Sequence, residues 1–155
     1  MRVVRSCVIG LLAAIVAACS SGPSLEEAGS ILVRDGNAVM AWDNWVDESI
    51  TNVGSRDVYC SDDSGFKRVF TATGELPTLN PDPDNKLDGA ARQIGARFAE
   101  RGYLPDISSL DQSDLTDVRT IVWLKESAGL RFFFTLTLPS DTRISAHIKG
   151  ETSCG

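Results

Sequence analysis

The last third of the chain contains three runs of strand-forming residues, and the alternation of apolar and polar residues, which is plainest in the last two, most constrains the fold. The runs cover residues 118–125, 130–138 and 143–149. Alternation with a period of two places successive side chains on opposite faces of a β-strand. Two short turn-rich segments, 126–129 and 139–142, separate the runs. We therefore predict antiparallel hairpins with one buried face and one outward face.

Two segments have apolar residues at helical spacing. Residues 24–27 read Ser-Leu-Glu-Glu, which is the pattern of a capping box. We predict a helix from this point to about residue 50, either continuous or broken near Gly36. A second helix is predicted from Asn85, its N-terminal cap, to Gly102, which would end it.

The centre of the chain is less regular. We predict short strands at residues 57–60 and 67–73, a turn at 61–65 and a proline-rich loop at 76–85. The order helix, strands, helix, strands indicates a single α+β domain over residues 25–155. Its predicted architecture is a two-layer sandwich, in which an antiparallel sheet of about four to five strands packs against two helices.

Residues 1–18 have the features of a secretion signal. The apolar run at 8–18 is too short to span a bilayer, which requires about 20 residues. The motif Val16-Ala17-Ala18-Cys19 resembles the bacterial lipobox, in which the cysteine thiol receives a diacylglycerol before the signal is removed. The resemblance implies a mature chain that begins at Cys19, with residues 19–24 as a short tether. Plain secretion and an uncleaved membrane anchor are the alternatives.

Removal of the signal leaves two cysteines without a role. Cys7 leaves with the signal and Cys19 carries the lipid, so Cys60 and Cys154 remain. An even number of cysteines outside the cytosol predicts a disulfide, which would also hold the C-terminus in place. A redox-active or metal-binding pair is the alternative, but it would require a short motif such as CxxC or further ligands.

The charge of the chain excludes two classes of partner. The whole chain has 15 basic and 21 acidic residues, a net charge of −6. Loss of Arg2 and Arg5 with the signal leaves 13 basic residues, so the mature net charge becomes −8. An acidic surface argues against nucleic acid as a partner and against electrostatic adhesion to anionic lipid.

The sequence contains few groups that could perform chemistry. His147 is the single histidine, and it falls on the polar face of the last predicted strand without a motif such as GxSxG nearby. We therefore predict that the protein is not an enzyme and has no cofactor. Two oxygen-rich groups do not match a calcium-binding loop, so we predict solvated loops and no metal. The groups are Asn80, Asp82, Asp84, Asn85 and Asp88, and Asp106, Asp111, Asp114 and Asp117.

Three aromatic residues are candidates for a ligand or partner face. Trp42 and Trp45, near the end of the first predicted helix, could form a glycan-stacking platform or a membrane-interface anchor, although core packing is the commoner role. Phe133 points away from the face that Phe132 and Phe134 share, so it could line a groove.

In layout the chain resembles the small cell-envelope lipoproteins of actinobacteria called LppA-like. The resemblance rests on the lipobox, the leading helix and three later segments: Val58-Tyr59-Cys60, Phe98-Ala99-Glu100-Arg101-Gly102-Tyr103 and Gly150-Glu151-Thr152-Ser153-Cys154. It implies the fold given above and an extracytoplasmic location, but no particular chemistry.

Two functions from different classes follow. The first is a non-enzymatic interaction or structural module on the outer face of the cell membrane, anchored through lipidated Cys19, which docks another envelope protein through its outward sheet face. The alternative is a carrier of an apolar or lipid ligand, held in a cavity between sheet and helices. An envelope hydrolase is a third candidate.

Overall fold

The computed structural model describes residues 22–61, 65–78, 83–107 and 118–155, with only the backbone described at 83–85. The signal, the lipobox and the first half of the tether therefore lie outside the described residues. The elements in chain order are α1 (Leu25–Met40), β1 (Val46–Tyr59), β2 (Phe66–Pro77), α2 (Pro83–Ala99), β3 (Leu104–Pro105), β4 (Val118–Lys125), β5 (Leu130–Ser140) and β6 (Arg143–Thr152). No helix in these ranges is both long and apolar enough to cross a bilayer.

The described strands form one antiparallel sheet in the order β1-β2-β6-β5-β4-β3. Helix α1 packs over β1, β2 and β6, while α2 packs over β4 and β5. The predicted α+β class is thereby confirmed. The strand number differs, because the described sheet has six strands and we expected four to five.

The C-terminal strands follow the predicted alternation. β4 has the predicted bounds, and β5 and β6 extend beyond them to Ser140 and Thr152. The apolar side chains of β5 and β6 that face the helices are almost fully buried: Phe132, Phe134, Leu136, Ile144, Ala146 and Ile148. Between β4 and β5 the chain turns through Gly129, whose φ of 59° lies in the left-handed region that glycine adopts without strain.

The first helix ends ten residues earlier than predicted. The capping box at Ser24 is present, but α1 ends at Met40. The indole Nε1 of Trp45 folds back and donates a hydrogen bond of 2.8 Å to the carbonyl oxygen of Val39, which satisfies one of the last carbonyls of the helix. Gly36 does not break the helix. A Cβ at this position would lie 2.8 Å from the ring of Phe70, so Gly36 allows α1 to approach the sheet closely.

Residues 46–59 form strand β1, although we predicted 46–50 as the end of the first helix and 57–59 as part of a short strand. This segment is rich in β-branched residues, which favour strands, and β2 supplies a partner for it. Its pairing with β2 shifts register at three places: between Val46 and Ser49, between Ile50 and Asn52, and between Val53 and Asp57.

The central predictions are partly wrong at their boundaries. The expected short strands are the ends of the longer strands β1 and β2, and the expected loop at 76–85 overlaps the end of β2 and the start of α2. Pro77 pairs with Arg143 at the strand end, while Pro83 opens α2, where a missing N–H is tolerated. Asn85 lies inside α2 and is not its cap.

Aromatic rings fill the space between sheet and helices. Phe98 of α2 lies at the centre, with ring centroids 5.2 Å from Tyr103, 4.8 Å from Phe132 and 4.8 Å from Phe134. Each such edge-to-face or tilted contact stabilises a core by about 0.5–1.5 kcal/mol, in addition to the stabilisation from burying apolar surface area. The domain is therefore held together by a packed aromatic centre that both hairpins and α2 share.

Candidate functional site

The face of the sheet opposite the two described helices is here called the outer face. Residues paired across neighbouring strands point to the same side, so the register defines its rows. One row runs Thr73, His147, Thr135 and Thr120, and the adjacent row runs Thr71, Lys149, Phe133 and Val122. Most of these side chains are partly exposed, which leaves the outer face accessible to a partner.

Phe133 lies half-buried on the outer face between two cations. The guanidinium carbon of Arg131 and the ammonium nitrogen of Lys149 each lie 5.6 Å from the centroid of its ring. Both distances fall within the range of cation–π attraction. Phe133 therefore lies on the outer face, as its position in the alternating pattern predicted. Two positively charged side chains lie next to its ring.

A buried carboxylate holds these cations in place. Oε2 of Glu151 accepts hydrogen bonds from Lys67 at 2.9 Å and from Lys149 at 3.1 Å, and Oε1 accepts one of 2.9 Å from Arg131. Glu151 itself is only 3% exposed. Lys67, Arg131, Phe133, Lys149 and Glu151 are here called the Phe133 cluster. It combines three positive charges with one negative charge on a chain whose net charge is −6.

Two opposing effects act on the pKa of Glu151. Burial raises the pKa, but the hydrogen bonds from Lys67 and Lys149 and their charges outweigh burial and hold it below its ordinary value. The carboxylate is therefore ionised at neutral pH. Because the folded-state pKa is lower than the unfolded one, the stability that Glu151 contributes is present above about pH 4.5 and is lost as the pH falls through the folded pKa.

We expect Glu151→Gln to reduce stability at pH 7 and to have progressively less effect in acid. The amide cannot accept three charge-assisted bonds at neutral pH. Glu151 of the natural chain loses the same interactions only as it is protonated, so its contribution to stability declines from about pH 4.5 downward, as the pH falls through the lowered folded-state pKa. Urea unfolding at several pH values measures the difference. Glu126→Gln, at an exposed position in the β4–β5 turn, is the matched control and should change stability by less than about 0.5 kcal/mol. If the free energies of unfolding of Glu151→Gln and the natural chain differ by the same amount at every pH from 7 to 3, this expectation is contradicted.

The two tryptophans lie on the other side of the sheet from Phe133. Trp45 is 6% exposed and belongs to the core, and its ring meets that of Trp42 edge to face at 5.9 Å. Trp42 is partly buried beneath the guanidinium of Arg97, 5.3 Å from its centroid. The structure therefore does not bring the three predicted aromatic residues into one site, and it places Trp45 in the role of core packing.

Cys60 and Cys154, which are 94 positions apart in the sequence, form the predicted disulfide, with their Cα atoms 6.3 Å apart. Beside it, the backbones of Phe66 and Gly155 exchange two hydrogen bonds of 3.0 and 3.1 Å. The bridge therefore ties the end of β1 to the C-terminus and fixes both to the start of β2.

The remaining polar candidates do not converge. His147 is exposed on the outer face, in the threonine row described above. Asp88 lies 3.5 Å from Arg119, while most of the other residues of the two oxygen-rich groups lie outside the described residues. Within the parts of the chain that are described, no group of three or more histidine, cysteine, aspartate or glutamate side chains is placed to hold a metal ion.

A buried polar cluster joins α1 to the sheet and was not anticipated from the sequence. Asp35, 2% exposed, accepts hydrogen bonds of 3.1 Å from the Tyr103 hydroxyl, 3.1 Å from Lys125 and 2.9 Å from Arg34. Burial raises the pKa of Tyr103 far above its ordinary value, and the Asp35 charge raises it further, so the hydroxyl remains a donor. The available signal was an acidic residue on the apolar side of a helix, between Leu32 and Val39. The Asp35 carboxylate and its three donors satisfy each other's hydrogen-bonding capacity, which indicates a structural role.

The concave regions that could receive a small ligand are open to solvent. The most apolar of them is a groove of about 370 Å³ between α2 and β4, lined by Ala91, Arg92, Gly95, Ala96, Ala99, Ile121 and Trp123. The region between sheet and helices, where a carrier would hold its ligand, is occupied by the aromatic rings around Phe98.

Comparison with known proteins finds no family model, no curated protein and no solved structure that matches this chain. The LppA-like layout therefore remains a prediction. The Phe133 cluster is the strongest candidate site, because it concentrates positive charge and an aromatic ring on an accessible face.

Proposed function

We propose that this chain is a lipid-anchored, non-enzymatic module on the outer face of a cell membrane, which docks an envelope protein with an acidic surface through the Phe133 cluster. The observation that carries the proposal is the excess of cations around Phe133 and Glu151 on an otherwise acidic chain. Complementary charge guides the encounter of two proteins and fixes their register more than it adds affinity.

The anchor and the location are supported by the lipobox motif and the disulfide. A disulfide between cysteines 94 positions apart is typical of proteins that fold in an oxidising compartment. Attachment through more than one acyl chain on Cys19 gives stable membrane binding, whereas a single chain gives only marginal binding. The acidic protein body does not need to bind anionic lipid for the module to remain at the membrane.

The docking role is supported by the shape and chemistry of the outer face. An aromatic ring flanked by Arg131 and Lys149 offers apolar contact area at its centre and positive charge at its rim, as protein interfaces commonly do. Glu151 holds the cations in fixed positions, so little side-chain freedom is lost on binding. A partner with carboxylates around an apolar patch fits this arrangement.

The carrier function is the second candidate, and the packing disfavours it. An apolar ligand held between sheet and helices would have to displace the rings of Phe98, Phe132 and Phe134 from contacts of 4.8 Å. Mass spectrometry of protein extracted from membranes is expected to find no stoichiometric apolar ligand. A bound lipid at one molecule per chain would favour the carrier function instead.

The docking proposal is tested by site-specific photo-crosslinking in the cells that make the protein. A photoreactive amino acid at Thr135, on the outer face beside Phe133, is expected to form a discrete adduct with an acidic envelope protein. The same probe at exposed Arg92 of α2 should not give that adduct. Combining the Thr135 probe with Phe133→Ala and Lys149→Gln should reduce the adduct about tenfold, which corresponds to roughly 1.4 kcal/mol of binding free energy.

Arg143→Gln is the matched control for the loss of a cation, because Arg143 lies on the same strand but pairs with Glu75 outside the cluster. It should leave the adduct unchanged. An adduct that survives Phe133→Ala with Lys149→Gln, or one formed equally by the Arg92 probe, would refute docking at the Phe133 cluster. A turnover of envelope esters, glycans or peptides that is abolished by His147→Ala would refute the non-enzymatic role.

A further inference from the structure

Exposed apolar side chains occur near both edges of the sheet at one of its ends. β1 ends and β2 begins at this end, where the rings of Tyr59 and Phe66 lie 4.5 Å apart. Tyr59 is 72% exposed and Phe66 is 37% exposed. At the opposite edge of the sheet, Leu104 of β3 is also 72% exposed. It pairs with Leu124 near the end of β4, which lies at the same end of the sheet as Tyr59 and Phe66. Tyr59, Phe66 and Leu104 are here called the apolar rim.

The first described residues lie at the same end as the apolar rim. Gly22 and Pro23 line a shallow concavity together with Cys154 and Gly155. Gly155 in turn exchanges backbone hydrogen bonds with Phe66. Cys19 precedes Gly22 by three residues, so covalent geometry keeps the two within about 11 Å of each other. A lipid on Cys19 would therefore hold this end of the domain against the bilayer surface.

We propose that the apolar rim is a membrane-contact surface, in which Tyr59, Phe66 and Leu104 enter the headgroup region of the bilayer that holds the lipid anchor. The inference rests on the proposed lipidation of Cys19. Because a lipid at Cys19 would place this end of the domain at the bilayer, the surface that the apolar rim contacts is a lipid surface. Tyrosine is enriched at membrane–water interfaces, because its ring is apolar and its hydroxyl can remain hydrated.

Apolar contact, and not attraction to anionic lipid, provides the driving force. The first turn of α1 at this end contains Glu26 and Glu27, and the β4–β5 turn contains Glu126. The nearby cations Lys67 and Arg131 are already paired with the carboxylate of the Phe133 cluster. The three glutamates are exposed and lie outside that cluster. These carboxylates would be repelled by anionic headgroups. Contact of the rim with the bilayer should therefore occur in vesicles of zwitterionic phosphatidylcholine and should not require anionic lipid.

The test uses the full, lipidated protein reconstituted into phosphatidylcholine vesicles whose acyl chains carry bromine, a short-range quencher of tryptophan fluorescence. Tyr59→Trp places a probe in the rim with little change of shape. Thr142→Trp places a matched probe in the exposed β5–β6 turn at the opposite end of the sheet. The signal of the native tryptophans, measured on the natural chain, is subtracted from both variants.

We expect the Tyr59→Trp probe to be quenched about twofold more strongly than the Thr142→Trp probe. Leu104→Trp is a second rim probe with the same expected result, so the test does not depend on the folding of a single variant. Mass measurement of the protein confirms lipid on Cys19 before reconstitution.

The outcomes separate this inference from the proposed function. If lipidated protein stays in the vesicles but neither rim probe is quenched more than Thr142→Trp, the membrane-contact surface is overturned and the anchor stands. If the protein carries no lipid at Cys19 and remains in solution, both the anchor and the membrane-contact surface are overturned. Cys19→Ala, which cannot be lipidated, should lose at least tenfold in vesicle partitioning if both proposals are correct.

Discussion

Replacement of Asp35 by alanine should lower the free energy of unfolding by about 3–5 kcal/mol. The carboxylate is 2% exposed and accepts hydrogen bonds from Tyr103, in the connection between α2 and β3, and from Lys125, at the end of β4. Without Asp35, the buried hydroxyl and the ammonium lose their common acceptor, and each keeps the cost of its desolvation. Urea unfolding followed by tryptophan fluorescence measures the change.

Asp57→Ala is the control, because it removes an ion pair that is not buried. Asp57 pairs with Arg68 at 2.9 Å but is about half exposed, so its removal should cost only about 0–1 kcal/mol. A second arm replaces the whole cluster by apolar groups, with Asp35→Leu, Tyr103→Phe and Lys125→Met together. This triple variant should recover most of the lost stability. A loss below about 1 kcal/mol in Asp35→Ala would show that Tyr103 and Lys125 find other acceptors.

Removal of the disulfide by Cys60→Ala with Cys154→Ala should lower the free energy of unfolding by about 4 kcal/mol. The bridge joins residues 94 positions apart, and a loop of this length strongly restricts the unfolded chain. Thiol titration of the natural protein under denaturing conditions should find neither cysteine free. Denaturant unfolding then compares the double variant with the natural protein.

Reduction of the natural protein is the matched control, because it opens the same loop without a substitution. It should reproduce most of the loss seen in the double variant. A loss below about 1 kcal/mol in both would mean that the two backbone hydrogen bonds between Phe66 and Gly155 already hold the C-terminus against the sheet.

The C-terminal hairpins could be predicted because burial and alternation coincide there. On β5 and β6 one face meets the helices and the other meets water, so the period of two is visible in the residue types. The disulfide could be predicted from the number of cysteines, since only Cys60 and Cys154 lacked another role once the signal and the lipid were assigned.

β1 could not be predicted in the same way because it has no buried face. Of its 14 residues only Gly54 is buried, and so no alternation of apolar and polar residues marks the strand. The apolar residues at positions such as Val46 continued the helical spacing of α1 by coincidence. The helix ends where the Trp45 indole binds the Val39 carbonyl, a contact that the spacing of residues does not reveal.

The composition of the candidate site was predicted only in part. The outward position of Phe133 followed from the alternation on β5. Lys67 and Glu151, however, are 84 positions apart, and only the antiparallel pairing of β2 with β6 brings them together. Asp35 and Lys125 are 90 positions apart for the same kind of reason. Clusters assembled from distant elements depend on strand order, which local patterns do not specify.

The three register shifts of β1 have a consequence for how neighbouring copies behave. β1 is one of the two edge strands of the described sheet and has exposed apolar side chains at Ile50, Val53 and Val58. A long, flat edge of this kind can template the addition of a strand from another molecule, which is how many sheet proteins begin to aggregate. Each shift puts the free N–H and C=O groups of β1 out of phase with those of a straight strand. Molecules that meet edge to edge can therefore match only a few residues at a time, which disfavours aggregation through β1.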